Sequence, residues 1–350
     1  MYERPAFWKT RLDELDEAMG GVRKGTARVV TKSAGGRDVW LVEYGERQDF
    51  GRTANYGSSL GAGSAKYYAD KKSKKPVVFL IGAEHGGELE GTVAILNMIR
   101  MIETGADYGG RTVPYLRDCT ENCRLLLMPT ANPDGRSRME IDTMNRVPHE
   151  VFLHYAQGRW SDGTLCGYPA CKRVHPIKES VSFLGSYFND DGVNLVHDDF
   201  FGKMAAETRA IFDVADAEAP DLTIHLHGAS CKNEIDCASY SPRFIKEIVQ
   251  ELKHRVTDEA DKYGLPTLLN EIREDDTNPP APFNIMSALH HACGTVSMLY
   301  ECNQGVLLPE GSELQEWQAM LTCDEILAEL YILFEQTIRF AHELRGEGRL

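Results

Sequence analysis

No stretch of this sequence reaches the roughly 18 consecutive apolar residues that a membrane-spanning helix requires. The N-terminal MYERPAFWKTRLDELDEAMGG is charged throughout and lacks the apolar segment of a secretory signal. Positive charge is also scarce. Against 53 Asp and Glu there are 38 Lys and Arg, a net charge of -15, and that balance repels nucleic acid and anionic lipid alike. The one basic run, KKSKK at 71–75, reads as a solvated loop ahead of a strand. Neither nucleic acid nor a membrane is therefore expected as a partner, and the oligomeric state is not legible. Nine cysteines, an odd number at irregular spacings, suit reduced thiols in a cytoplasmic protein better than a disulfide framework. CGYPACKRVH offers Cys166, Cys171 and His175 as half of a structural zinc site, but no second pair follows at finger-like spacing. The Gly/Ser-rich YGSSLGAGSAKYY at 56–68 lacks the Gly-Lys-Ser/Thr ending of a phosphate loop.

With 350 residues the chain can bury a large core. Apolar or alternating runs predict strands near 27–31, 39–44, 77–81, 124–128, 222–226, 267–269 and 295–300. Helical periodicity fits 89–104, 203–217, 242–263 and 314–344, the last reading as cover for a sheet. Strands alternating with helices point to an α/β sheet with helices on both faces. Residues 136–191 have no sustained period and are too long for an ordinary connection, so they read as an irregular insertion forming the walls of a site. No linker marks a boundary, and one domain over 1–350 is expected.

The chemistry begins at FLIGAEHGGELEG, residues 79–91, where an apolar run breaks into His85, two glycines and Glu88. A histidine and a glutamate three apart at a strand end can turn toward one point, with the glycines letting the backbone curl between them. By itself the pair also fits an exposed turn whose acids favour a helix N-terminus. APDLTIHLHGAS supplies a third ligand: His225 and His227 share one strand face, and His227, at the strand end, is the better placed to reach a site above the sheet. His225 then stands behind it. Two histidines and a glutamate with an open fourth position form a standard catalytic zinc set. GTVSMLYECNQG offers Glu301 as the base, a carboxylate closing an otherwise apolar strand. Cys302 beside it reads as a small buried side chain.

Over most of the chain, roughly 27–301, these residues resemble the zinc metallocarboxypeptidases of the carboxypeptidase A type. EHGGE looks like their ligand pair, MPTANPDG resembles their Asn-Pro-Asp-Gly turn, and AETRAIFDVADAEAPDLTIHLHG resembles the helix and strand that deliver the last zinc histidine. YECNQG resembles the strand of their catalytic glutamate, and His227 and Glu301 lie 74 positions apart, as in that family. The resemblance implies a mixed sheet of roughly eight strands and one zinc per chain, held by His85, Glu88 and His227. Glu301 would take a proton from a zinc-activated water and pass it to the leaving nitrogen of a peptide or small amide substrate. An arginine after the Asn-Pro-Asp-Gly turn would meet the oxyanion; Arg136, Arg138 and Arg146 are the candidates.

The match departs from the family at the substrate end. GVNLVHDDFF, 192–201, stands where the family carries a supporting aspartate and an Asn-Arg pair that grips the terminal carboxylate. Asn194 replaces the aspartate behind the first zinc histidine, and its amide oxygen can still accept an imidazole N–H. Val196 and His197 replace the Asn-Arg pair, and a histidine is mostly neutral near pH 7 and lacks the guanidinium fork. Asp198 and Asp199 beside His197 disfavour an anion unless they hold it protonated. The family tyrosine ahead of Glu301 has no counterpart; only His290 and His291 occupy that loop. Three readings follow: an exopeptidase with atypical C-terminal recognition, an N-acyl amino acid deacylase of the aspartoacylase branch, or an inactive binding protein on the same fold.

Overall fold

The strand Val77–Gly82 reads VVFLIG and is buried at every position, which requires cover on both faces of a sheet. In the computed structural model, which describes residues 4–47, 75–229, 233–265, 272, 275, 281–312 and 320–349, this strand (β3) is the middle of a seven-stranded sheet. Its companions are β1 (Thr26–Lys32), β2 (Asp38–Tyr44), β4 (Arg124–Met128), β7 (Leu222–Ala229), β8 (Glu234–Cys237) and β9 (Val296–Asn303), in the order β1-β2-β4-β3-β7-β9-β8. The inner strands β4, β3, β7 and β9 are parallel, while β1, β2 and β8 join antiparallel. Two short strands, β5 (Gly158–Trp160) and β6 (Val181–Leu184), pair separately. The mixed α/β sheet of the sequence reading is therefore present. The strand expected at 267–269 lies outside the described residues, as do the Gly/Ser-rich run and most of KKSKK.

Successive residues of the inner strands point to opposite faces, and each face has its own cover. Val78, Leu80, Leu127 and Ile224 pack with α1 (Leu12–Gly20), α2 (Glu90–Thr104), α7 (Arg243–Asp261) and α9 (Cys323–Gly346). Phe79, Ile81, Leu126 and Met128 pack with α6 (Ala206–Glu218) and α8 (Ile285–Cys293). Helices α3 (Pro114–Asp118), α4 (Pro133–Ser137) and α5 (His149–Gln157) occupy the connections around β4. Among the described residues no helix is long and apolar enough to cross a membrane.

Helices α1 and α8 and strand β8 are additions to the sequence expectations. Two histidines in its last turn blur the apolar stripe of α8, yet its ends are well marked: Asn284 accepts from the Ser287 amide, and Gly294 closes it at φ 76. Strand β8 is a four-residue edge strand, too short to show a period. The 136–191 segment contains α5, the β5–β6 pair and a small core of its own around Met144, Phe152, Cys171, Ile177 and Phe188.

Strand order matters for function. From β3 the chain passes through α2 to β4 on one side, whereas β7 lies on the other, so the order reverses at β3. Such a reversal opens a crevice outside the C-terminal ends of the two diverging strands.

One buried acid away from that crevice gives a test of the core. Glu329 of α9 is 1% exposed and accepts a 2.8 Å hydrogen bond from Asn233 Nδ2. Burial pushes its carboxyl from 4.5 up to about 8. A raised folded-state pKa means that the stability held by the protonated acid is complete below the unfolded value and is lost as pH climbs through the folded one. Glu329→Gln, which needs no proton, is expected to gain about 1–3 kcal/mol over the wild type near pH 9 and little near pH 5. Urea melts at both pH values check this, and an equal difference at the two would sink it.

Candidate active site

Strand β3 ends at Gly82, and Ala83 follows at φ 49, a left-handed conformation rare outside glycine. That turn lifts Glu84 and His85 out of the sheet. A 3.0 Å bond from the Glu88 amide to the His85 carbonyl closes the loop. The Asn-Pro-Asp-Gly turn clamps it: the Asn132 amide donates to the Ala83 carbonyl and Asn132 Nδ2 to that of Glu84, while Asn132 Oδ1 caps α4 at the Gly135 amide. Gly86 and Gly87 do not have positive φ, so their role differs from the tight curl expected from sequence. A Cβ on Gly86 would fall 2.2 Å from the Arg136 nitrogen, and one on Gly87 2.2 Å from Ser186 Oγ. These glycines permit close approach.

Three buried donors converge above the crevice. His85 Nδ1 lies 2.9 Å from Glu88 Oε1, and His227 Nδ1, at the end of β7, lies 2.9 Å from Glu88 Oε2. One ligand atom from each residue can be chosen so that all lie within 4.8 Å of one another, the one such group of His, Cys, Asp or Glu among the described residues. Glu88 Oε2 is buried and close to His227, yet it makes no properly aligned hydrogen bond. A carboxylate oxygen buried beside an imidazole without an aligned hydrogen bond fits a cation held between them. Electrostatics agree: burial raises the Glu88 pKa, but the flanking His85 and His227 outweigh it and hold it down to about 2. Two imidazoles and a carboxylate are a zinc donor set.

Glu301 on β9 stands in register with His227 on β7 and lines the same cavity, a space of about 570 Å³. Burial, then the charge of Glu88, push its carboxyl up to about 8, within the range that serves a proton carrier near neutrality. Tyr187 stacks on His85 with ring centroids 3.8 Å apart and an interplanar angle of 6°. It also lines the cavity, together with His197, Gln157 and, from β8, Glu234 and Asp236.

The zinc carboxypeptidase family model, peptidase family M14, matches residues 24–231, more than half of the chain. The chain belongs to this family. Solved structures share its fold at low identity. A metallo-carboxypeptidase from Burkholderia cenocepacia is 14% identical over 94% of this chain and 68% of its own, with a TM-score of 0.54. Carboxypeptidase A from Helicoverpa armigera is 16% identical over 97% and 75%, at 0.54. A putative metallopeptidase from Shewanella amazonensis is 11% identical over 94% and 93%, at 0.52. No curated protein compared with the chain matches it.

The charged lining of the cavity departs from the sequence expectations. None of the three candidate oxyanion arginines is among the described residues lining it. Arg136 is buried and spent on the Thr10 and Met139 carbonyls and Asp142. Arg138 is bound to Asp190 and to the carbonyls of Leu184, Gly185 and Phe188. Arg146 is exposed, with its own amide bonded to the Gly305 carbonyl. Local packing thus claims the guanidinium groups of Arg136 and Arg138.

His197 does line the cavity, but burial, then the charge of Lys172, push its pKa down to about 3, so it is neutral. The aspartates beside it do not hold it protonated. Asp198 instead accepts from the Asp199 and Ala205 amides. The one Lys or Arg among the described lining residues is Lys172, whose Nζ lies 3.3 Å from the Tyr168 hydroxyl.

Asn194 Oδ1 lies 3.2 Å from His85 Nε2, and His225 sits behind His227, linked to it by Glu84. His290 and His291 point elsewhere, to the carbonyls of Thr295 and Ser239. Cys302 is 1% exposed, and burial raises its thiol pKa well above the ordinary range. Glu84 and Lys172 are absent from the sequence candidates. A carboxylate directly before a candidate ligand at a strand end was the available signal for Glu84; Lys172 arrives from the 136–191 segment with no local pattern to betray it.

Proposed function

We propose that this protein is a zinc-dependent hydrolase of peptide or small amide substrates, working as an exopeptidase with an altered grip on the substrate's C-terminus. The observation that carries this reading is the convergence of His85, Glu88 and His227 at one end of a cavity into which Glu301 also opens. Zinc held by those three residues would acidify a water and polarise the scissile carbonyl. Glu301 takes up the proton and returns it to the departing nitrogen, a task its raised pKa suits. Tyr187, stacked flat on His85, shields that edge of the site from water.

Lys172 meets the substrate carboxylate in place of the family's arginine. As a point charge on a flexible stem it positions that end less strictly than a guanidinium fork. The test is one peptide library made with free-acid and amidated C-termini, digested by zinc-loaded protein and read by mass spectrometry. Free-acid peptides are expected to lose their last residue. Lys172→Met is expected to raise KM for them about 5–10-fold, with amidated peptides unaffected, since one partly exposed charged hydrogen bond is worth about 1 kcal/mol. Equal cleavage of both libraries would remove the carboxylate grip. Cleavage of N-acyl amino acids with no peptide turnover would move the reading to a deacylase, and no turnover of any substrate to a binding protein.

A further inference from the structure

The two histidines that face Glu88 are backed by different chemistry. His85 turns Nε2 toward a neutral amide, with Asn194 Oδ1 at 3.2 Å. His227 turns Nε2 toward a carboxylate, with Glu84 Oε2 at 2.8 Å. The other oxygen of Glu84, Oε1, is 2.9 Å from His225 Nδ1, and His225 Nε2 is 3.0 Å from Ser297 Oγ. Glu84, His225 and Ser297 are 0% exposed and His227 is 3% exposed. A carboxylate sealed from water thus has an imidazole on each oxygen.

We infer that Glu84 is the positioning residue of the metal site: its carboxylate fixes the proton of His227 on Nε2, leaves Nδ1 free to bind the cation, and supplies the negative charge that Asn194 does not supply behind His85. This inference rests on the zinc reading above. An imidazole ligates through an unprotonated nitrogen, and the partner of its other nitrogen sets tautomer, ring angle and basicity. A carboxylate raises that basicity more than an amide, so His227 is the stronger of the two imidazole donors. The His225–Ser297 pair holds the second oxygen of Glu84, so the carboxylate cannot rotate away.

The test uses the full chain and zinc alone, with affinity measured by competition against a chromophoric chelator. Glu84→Gln keeps the shape and removes the charge; zinc binding is expected to weaken about 10–100-fold, the usual effect of losing a ligand's hydrogen-bond partner. Ser297→Ala, at the far end of the chain, is expected to stay within about threefold of wild type on the same scale. Asn194→Asp added to Glu84→Gln returns a carboxylate behind the other histidine and is expected to restore part of the loss, which a merely structural role for Glu84 would not allow. Unchanged zinc affinity in Glu84→Gln overturns the inference. If that variant does not fold, nitrogen-15 spectra of the zinc-loaded wild type decide: His227 protonated at Nε2 supports it, and His227 ligating through Nε2 overturns it. A wild-type chain that holds no zinc overturns the metal reading beneath both.

Discussion

Glu301→Gln is expected to lower amide-bond turnover about 10²–10⁴-fold, the range contributed by a positioned proton carrier, while zinc affinity stays close to that of the wild type. The substitution keeps the volume and the strand. What it removes is proton capacity in a half-buried carboxyl whose pKa has been pushed up to about 8, first by desolvation and then by Glu88. Because Glu301 faces His227 across the β7–β9 ladder and is not in the group that converges on Glu88, metal content and turnover should separate cleanly. Metal analysis beside kcat on free-acid peptides reads both. A variant that keeps more than a small fraction of wild-type kcat would assign the proton to another residue. Loss of zinc together with activity would show that Glu301 holds the site together and would leave its chemical role without support.

Glu88→Ala should act on the other half of the machinery. Apparent zinc affinities of about 10–16 kcal/mol, shared among four ligands, assign roughly 3 kcal/mol to each, or about a hundredfold in the dissociation constant. The loss at Glu88 should reach at least that figure, since each of its oxygens lies 2.9 Å from a histidine nitrogen and its removal leaves two buried imidazoles facing one another. Chelator competition gives the constant, and restoration of activity at high zinc distinguishes a weakened site from a misfolded one. Full zinc affinity in this variant would place the metal elsewhere.

Much of the site could be read from local pattern because its donors occupy strand ends. His85 and Glu88 stand where an apolar strand breaks, His227 two residues before another ends at Ala229, and Glu301 where a third carries a charge it has no packing reason to carry. Strand ends at an order reversal share one crevice, so local reading and topology agree there. What escaped is what topology alone brings in. Lys172 comes from a short 3₁₀ turn with no period of its own. Of the candidate arginines, Arg136 and Arg138 are held by residues distant in sequence, Thr10 and Asp190 among them, whereas Arg146 is exposed. The helix α8 was hidden by polar residues in its last turn, although its caps were visible at Asn284 and Gly294.

The strand order has a consequence for the way the molecule is assembled. Glu84 and His227 meet across 143 positions of chain, and His225 and Ser297 across 72. Closing loops of this length costs chain entropy that only long-range pairing offsets, so His227 joins His85 and Glu88 only when β3 and β7 lie side by side. A zinc ion held by all three would therefore be a ligand of the finished sheet, unlike the metal of small stapled domains whose ligands are all neighbours. By mass action it would stabilise the whole sheet rather than a local turn.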